Sequence, residues 1–95
     1  MALRITVQER ESSLEITLEG RLAEAWVVEL SEAWGETARR LGSRQLSLNL
    51  RDLTYSNEHG KQVLREIVAQ TGAEILASNP FTKYLAQEIS NPETD

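Results

Sequence analysis

The sequence predicts a small α/β domain with a mixed four-stranded sheet and elements in the order β-β-α-β-α-β-α. Two observations predict this class: short segments in which apolar and polar residues alternate, and longer segments with apolar residues at helical spacing. A short polar link joins the first two segments, which is typical of an antiparallel hairpin. Helices join the later strands, so we expect those strands to be parallel neighbours connected by right-handed crossovers.

Four segments are predicted to be strands. Residues 3–9, 13–19 and 44–50 each place leucine, isoleucine or valine at every second position, which indicates strands buried on one side. Residues 73–77 form a shorter apolar segment after a glycine. Gly20 is predicted to end the second strand, because glycine commonly interrupts regular structure.

Three segments are predicted to be helices. Residues 23–41 and 57–70 repeat apolar side chains at three- and four-residue intervals, and residues 78–89 do the same after a proline. We expect Ser78 or Asn79 to cap the third helix, because their side chains can accept a bond from the free N–H groups at a helix start.

The alternation also predicts that all helices lie mainly on one face of the sheet. A parallel sheet covered on both faces has strands that are apolar throughout, whereas three of these strands carry a polar row. The other face is then either solvated or a docking surface. It is predicted to display Arg4, Thr6, Gln8, Glu15, Thr17, Glu19, Gln45, Ser47 and Asn49.

Length and composition set limits on the class of protein. The 95 residues suit one domain, predicted over residues 1–90 with a polar tail at 91–95. A net charge of −5 disfavours nucleic acid as a partner, and no apolar run is long enough to span a bilayer. The chain has no cysteine and no segment typical of a signal peptide, so we expect a cytoplasmic location.

The element order, together with the segments LEITLEGRL and LNLRDLTYSNEHGKQVL, resembles the STAS domain. That family includes bacterial anti-sigma-factor antagonists, in which a partner kinase phosphorylates a serine or threonine at a helix start. The positions that match the family motif here are Asn57, Glu58, His59 and Gly60, and only the glycine is kept. The resemblance therefore implies the scaffold and the interaction surface, but Glu58 has no hydroxyl group to phosphorylate.

Residues 54–61 allow three interpretations of Glu58. In the first, Ser56 or Asn57 caps the helix, and Glu58 is a first-turn carboxylate that interacts favourably with the helix dipole. In the second, the fixed carboxylate imitates the phosphorylated state. In the third, the loop is a remodelled contact surface for a different protein partner.

Catalysis is not predicted. Ser56, His59 and Asp52 are residue types found in a catalytic triad, but they share one short turn without an oxyanion-hole motif. His59 and Glu58 lack further ligands nearby for a metal site. We therefore expect no catalytic residue, no metal and no cofactor.

The predicted function is protein–protein interaction through the loop and the start of the first helix. The partner would be an anti-sigma kinase or another regulator, and self-association as a homodimer is a further possibility. The alternative is a small-ligand sensor for nucleotides or other anions. Trp26 is either part of the core or part of the partner site. The predicted partner-binding residues are Trp26, Tyr55, Ser56, Asn57, Glu58, His59 and Gly60.

Overall fold

The computed structural model describes residues 2–90 and contains four strands and three helices. The elements are β1 (Leu3–Glu9), β2 (Ser13–Leu22), α1 (Ala25–Leu41), β3 (Gln45–Ser56), α2 (Glu58–Thr71), β4 (Glu74–Leu76) and α3 (Pro80–Ser90). Their order confirms the predicted β-β-α-β-α-β-α arrangement. The expected polar tail at 91–95 lies outside the described residues. No helix within residues 2–90 is long and apolar enough to cross a membrane.

The four strands form one mixed sheet in the order β1-β2-β3-β4. β1 pairs with β2 as an antiparallel hairpin, and β3 is parallel to both β2 and β4. α1 connects β2 to the neighbouring β3, and α2 connects β3 to the neighbouring β4, so both connections run toward the same edge of the sheet. Two right-handed crossovers that run in the same direction place their helices on the same face of the sheet, as the sequence predicts.

The core lies between that face of the sheet and the three helices. Every second residue is buried from Leu14 to Leu18 in β2 and from Leu46 to Leu50 in β3, and each helix contributes two buried side chains to the same cluster. This arrangement confirms the predicted layer of helices on one face. The central buried residues are Leu14, Ile16, Leu18, Leu46, Leu48 and Leu50 from the sheet, and Leu30, Trp34, Leu64, Ile67, Leu85 and Ile89 from the helices.

The opposite face of the sheet is polar and open to solvent in the described chain. All nine polar residues predicted for it are exposed or half-buried. Glu15 is at its centre, where the carboxylate accepts bonds from Asn49 Nδ2 at 3.2 Å and Thr17 Oγ1 at 3.3 Å. These bonds join three polar side chains of β2 and β3 on the solvent-exposed face, which agrees with the solvated interpretation.

Two predicted strand ends are wrong, because β2 continues to Leu22 and β3 continues to Ser56. The strands remain paired, but β3 twice advances one residue further than β2, between Thr17 and Glu19 and again between Gly20 and Arg21. Each extra residue is a β-bulge, which turns the following side chains toward the other face. The period of two is therefore lost in the sequence although the backbone remains a strand.

Gly20 does not end β2 but allows the N-terminal segment to approach closely. Its φ angle is 104°, and a Cβ at this position would lie 2.4 Å from the carbonyl oxygen of Ala2. A larger residue would therefore force β1 and β2 apart at this end of the hairpin.

Two helices are capped by residues that the sequence predicts, although the first helical residues differ slightly from the predicted ones. Asn57 caps α2 by accepting a bond from the N–H of Gly60 at 2.8 Å. Asn79 caps α3 in the same way, with the N–H of Thr82 also at 2.8 Å. α1 begins at Ala25 and not at residue 23, because Ala23 and Glu24 form a tight turn before it.

Candidate interaction surface

The carboxyl ends of β2 and β3 bring the starts of α1 and α2 to one end of the sheet. Leu22 pairs with Ser56, and the N–H of Asn57 donates to the carbonyl of Leu22 at 3.1 Å. Parallel strands have their carboxyl ends at the same edge, so each following helix begins there. Trp26, in the first turn of α1, and residues 54–60 therefore lie at the same end of the sheet. The expected loop at 54–60 is wrong, because β3 runs to Ser56 and α2 begins at Glu58, so that only Asn57 lies between them.

The second bulge of β3 places an aromatic and a cationic side chain together at this end. Arg21 pairs with Tyr55, and its guanidinium carbon lies 4.3 Å from the centroid of the Tyr55 ring. Such stacking is favourable because the ring face is electronegative. Thr54, the extra residue, donates its hydroxyl to the carbonyl of Gly20 at 2.9 Å. The result is an ordered, exposed Arg–Tyr pair that the sequence analysis did not predict.

Ser56, the last residue of β3, and Gly60, in the first turn of α2, are both buried where the strand meets the helix. Ser56 is only 6% exposed, and its hydroxyl donates to the carbonyl of Asn57 at 3.1 Å. Gly60 is buried against β2: a Cβ there would lie 2.6 Å from Ser56 Oγ and 2.8 Å from Leu22 Cγ. Glycine is thus required for α2 to sit this close to the sheet. Both residues were predicted as part of the surface, but neither is accessible enough to contact a partner extensively.

Glu58 is the first residue of α2 and projects into solvent. Its side chain is 85% exposed and lies 3.4 Å from Lys61 Nζ. Lys61 also forms an ion pair with Glu88 of α3 at 3.0 Å. The carboxylate therefore occupies the first turn, as expected, where the partial positive charge of the helix favours it.

The Lys61–Glu88 pair links α2 to α3. Its hydrogen bond and charge lower the pKa of Glu88 below the ordinary 4.5 and raise the pKa of Lys61 above the ordinary 10.5, although burial opposes both shifts. The buried Oε1 of Glu88 has no other partner within the described residues, so the ion pair compensates it. Lys61 thus connects the exposed carboxylate of Glu58 to the third helix.

The turn before α1 holds the one non-glycine residue with positive φ within residues 2–90. Glu24 has φ 56° and ψ −128°, and the N–H of Trp26 donates to the carbonyl of Ala23 at 3.0 Å. These values belong to the first central position of a type II′ turn, which glycine normally occupies. The turn directs the chain from β2 into α1 and places Trp26 half-buried against the core, with Val28 58% exposed nearby in sequence.

The residue types of a triad are present but are not assembled. Among the described residues no hydrogen bond joins Ser56 to His59, and the Ser56 hydroxyl is engaged with a backbone carbonyl. His59 and Asp52 are both exposed. Within residues 2–90, no three acidic, histidine or cysteine side chains converge in a way that could hold a metal ion.

We define the strand-end surface as the exposed or half-exposed side chains at this edge: Arg21, Glu24, Trp26, Tyr55, Asn57, Glu58 and His59. Arg21 and Glu24 were missed by the sequence analysis. The Arg21–Tyr55 pair depends on a bulge that leaves no pattern in the sequence. The spacing of Glu58 and Lys61 could have indicated their contact, but the contact with Glu88 depends on how two helices pack.

Comparison with solved structures identifies the fold. An anti-sigma factor antagonist from Mycobacterium paratuberculosis superposes with a TM-score of 0.75 at 16% identity, covering 90% of this chain and 76% of that one. The unphosphorylated anti-sigma factor antagonist SpoIIAA gives a TM-score of 0.64 at 16% identity, over 88% and 82% of the two chains. No family model and no curated protein matches the sequence.

A third solved structure has the same fold. An uncharacterised protein with a SpoIIAA-like fold from Shewanella loihica gives a TM-score of 0.57 at 10% identity, over 90% of this chain and 75% of that one. The chain therefore has a STAS-like fold, the one shared by anti-sigma factor antagonists. The fold expected from the sequence resemblance is confirmed, and at these identities the likeness concerns the fold alone.

Proposed function

We propose that this chain is a non-catalytic regulatory module that binds a protein partner through the strand-end surface, in the manner of an anti-sigma factor antagonist. The observation that carries the proposal is the position of Glu58, whose side chain is 85% exposed in the first turn of α2. The resemblance places the modifiable hydroxyl of anti-sigma factor antagonists at this position. The charge here is permanent, so partner binding would not be switched by phosphorylation at residue 58.

The composition of the surface supports recognition of a protein. Tryptophan, tyrosine and arginine are enriched where protein interfaces bind most strongly, and Trp26, Tyr55 and Arg21 occupy one end of the sheet. Glu24 and Glu58 add negative charge beside them. A partner with a cationic patch next to an apolar pocket would match this combination.

The proposal is tested by measuring binding to a kinase-like anti-sigma factor from the same organism, by isothermal titration calorimetry. We expect Glu58→Lys and Trp26→Ala each to weaken binding by about tenfold or more, a typical loss at a central interface residue. Glu36→Lys is the matched control, because Glu36 is exposed on α1 away from the strand ends. Unchanged binding in both surface variants would refute the proposed surface.

A second experiment concerns the missing hydroxyl. Incubated with the same kinase and ATP, the wild-type chain should take no phosphate at residue 58, whereas Glu58→Ser should be phosphorylated there. Phosphate found on wild-type Ser56 would contradict this scheme. The alternative of a small-ligand sensor predicts instead that nucleotides raise the melting temperature without any protein partner.

A further inference from the structure

β1 is a long strand at the edge of the sheet, and its outer side has no backbone partner among the described strands. It has seven residues, whereas the opposite edge, β4, has three. Unpaired N–H and C=O groups along an edge can bond to another strand. This edge therefore offers a surface that is separate from the strand-end surface.

The hairpin determines which backbone groups point outward. The N–H of Arg10 donates to the carbonyl of Ser13 at 2.8 Å, so Arg10 and Ser13 are a hydrogen-bonded pair. Such pairs alternate along an antiparallel ladder, and Thr6 with Thr17 is another. The N–H and C=O groups that point away from β2 are consequently those of Leu3, Ile5, Val7 and Glu9.

β1 lacks the features by which proteins commonly protect an edge. It contains no proline and no lysine, and its register with β2 is continuous without a bulge. Ile5 and Val7 are half-buried apolar residues on the helix side, next to the edge. The chain has a net charge of −5, but β1 itself carries one arginine and one glutamate and is therefore neutral. Charge repulsion is thus weaker here than over the rest of the surface.

We propose that two copies of the chain pair antiparallel through β1, about a two-fold axis at Thr6. This register places Ile5 opposite Val7 of the second copy, so the outward N–H and C=O groups of both residues meet. An axis at Val7 would place Arg4 opposite Arg10, which is destabilising for like charges. An axis at Ile5 would leave only residues 3–7 paired.

The same register gives each remaining residue an acceptable neighbour. Arg4 faces the uncharged Gln8 of the second copy. Glu9 faces Leu3, but its carboxylate is already paired with Arg40 at 2.9 Å and Arg44 at 3.2 Å. The dimer would have one continuous eight-stranded sheet with all helices on one face, and both strand-end surfaces would remain accessible.

Cysteine cross-linking tests the register directly, because the natural chain has no cysteine. Thr6 would lie opposite Thr6 of the second copy as a non-hydrogen-bonded pair, with Cα atoms about 4.5 Å apart. This separation permits a disulfide. Thr6→Cys should therefore form a covalent dimer under mild oxidation. Gln8→Cys, exposed on the same strand and face, is the control, because the two sulfur-bearing residues would be about 13 Å apart along the strands.

Sedimentation equilibrium over about a hundredfold range of concentration tests association without a cross-link. The wild-type chain should show a reversible dimer. Thr6→Lys would place two ammonium groups opposite each other and should raise the dissociation constant roughly fivefold at low salt, and added salt should partly reverse the effect. Gln45→Lys, exposed on β3 away from β1, should leave the dissociation constant unchanged.

Two results would overturn the proposal. One is a wild-type chain that stays monomeric at every concentration. The other is a dimer unaffected by Thr6→Lys in which Thr6→Cys cross-links no faster than Gln8→Cys. Thr6 is exposed, so these substitutions should leave the fold intact and either result can be interpreted. Neither outcome depends on the proposed partner of the strand-end surface.

Discussion

Gly60 shows how a residue kept from a binding motif can have a packing role. The resemblance places Gly60 in a phosphorylation motif, yet in the structure it is buried between Ser56 and Leu22. A side chain at residue 60 would push the first turn of α2 away from the end of β2. Gly60 therefore determines where the first turn of α2 displays Glu58.

Gly60→Ala should lower the free energy of unfolding by about 1–3 kcal/mol, the usual cost of adding a methyl group to a packed site. Gly35→Ala is the matched control: this glycine lies in α1, and a Cβ there would meet nothing within 4 Å. The control should instead stabilise the protein by about 0.5–1 kcal/mol. Urea unfolding measures both, and equal effects would contradict the packing role.

Glu24 adopts a backbone conformation that costs free energy for any residue with a side chain. Gly42, at the other end of α1, has nearly the same angles, with φ 60° and ψ −135°, and the N–H of Arg44 bonds to the carbonyl of Leu41 at 3.2 Å. The same turn thus flanks both ends of α1, once with glycine and once with glutamate. Strain of this kind costs roughly 1–3 kcal/mol and persists only where the surrounding structure holds the residue in place.

Glu24→Gly should raise the free energy of unfolding by about 1 kcal/mol, because glycine adopts the turn without strain. No cap is lost, since the Glu24 side chain makes no capping hydrogen bond. Glu36→Gly, at an exposed position inside α1, should have the opposite sign, near 1 kcal/mol of destabilisation. Thermal and urea unfolding report both signs, and destabilisation by Glu24→Gly would show that the turn is not strained.

At the scale of elements, the Lys61–Glu88 ion pair ties α2 to α3. The pKa of Glu88 is lowered in the folded state, so its contribution to stability is fully present above pH 4.5 and is lost as the pH falls through the lowered value. The pKa of Lys61 is raised, so its contribution is present below pH 10.5 and is lost as the pH rises through the raised value. The pair therefore stabilises the helix contact across the neutral range.

Glu88→Gln should lower the free energy of unfolding by about 0.5–1 kcal/mol at pH 7, the range for a partly exposed ion pair. The difference from wild type should shrink as the pH falls below 4.5 and vanish below the lowered pKa of the folded state, where the carboxylate is protonated in both states. Urea unfolding at pH 7 and at lower pH measures this change. A difference independent of pH would mean that packing and not charge is responsible, and Glu36→Gln serves as the exposed control.

At the scale of the whole molecule, a sheet covered on one face has two chemically different sides. Leu48 lies in β3, is fully buried and faces the helices, whereas the adjacent Ser47 faces the open side. Parallel strands usually have helices on both faces of the sheet. Here the second face has no helix layer, and the polar side chains of β2 and β3 face solvent instead. One-sided coverage therefore leaves a broad polar surface exposed.

Leu48→Ala should cost about 2–5 kcal/mol, because it removes a large buried side chain and leaves a cavity. Ser47→Ala, one residue earlier in the same strand, should change stability by no more than about 0.5 kcal/mol. Chemical denaturation compares the two variants directly. A large loss at Ser47 would show that the open face is covered in solution.

The local pattern of the sequence determined most of the architecture. Alternating residues in β1, and in β2 and β3 before their bulges, determined which side faces the core, since only the apolar row of an alternating strand can be buried at low cost. Helical spacing and the caps Asn57 and Asn79 determined where helices form, since these signals act between residues close in the chain. Glu58 could be placed in the first turn of α2 for the same reason.

Only the tertiary structure decided how the site is built. The bulges of β3 depend on pairing with β2, so neither the strand end at Ser56 nor the Arg21–Tyr55 pair could be found from local periodicity. The burial of Gly60 against Leu22 and the contact between Lys61 and Glu88 join residues far apart in the chain. Such contacts depend on how whole elements pack, and the spacing of neighbouring residues in the sequence does not determine that packing.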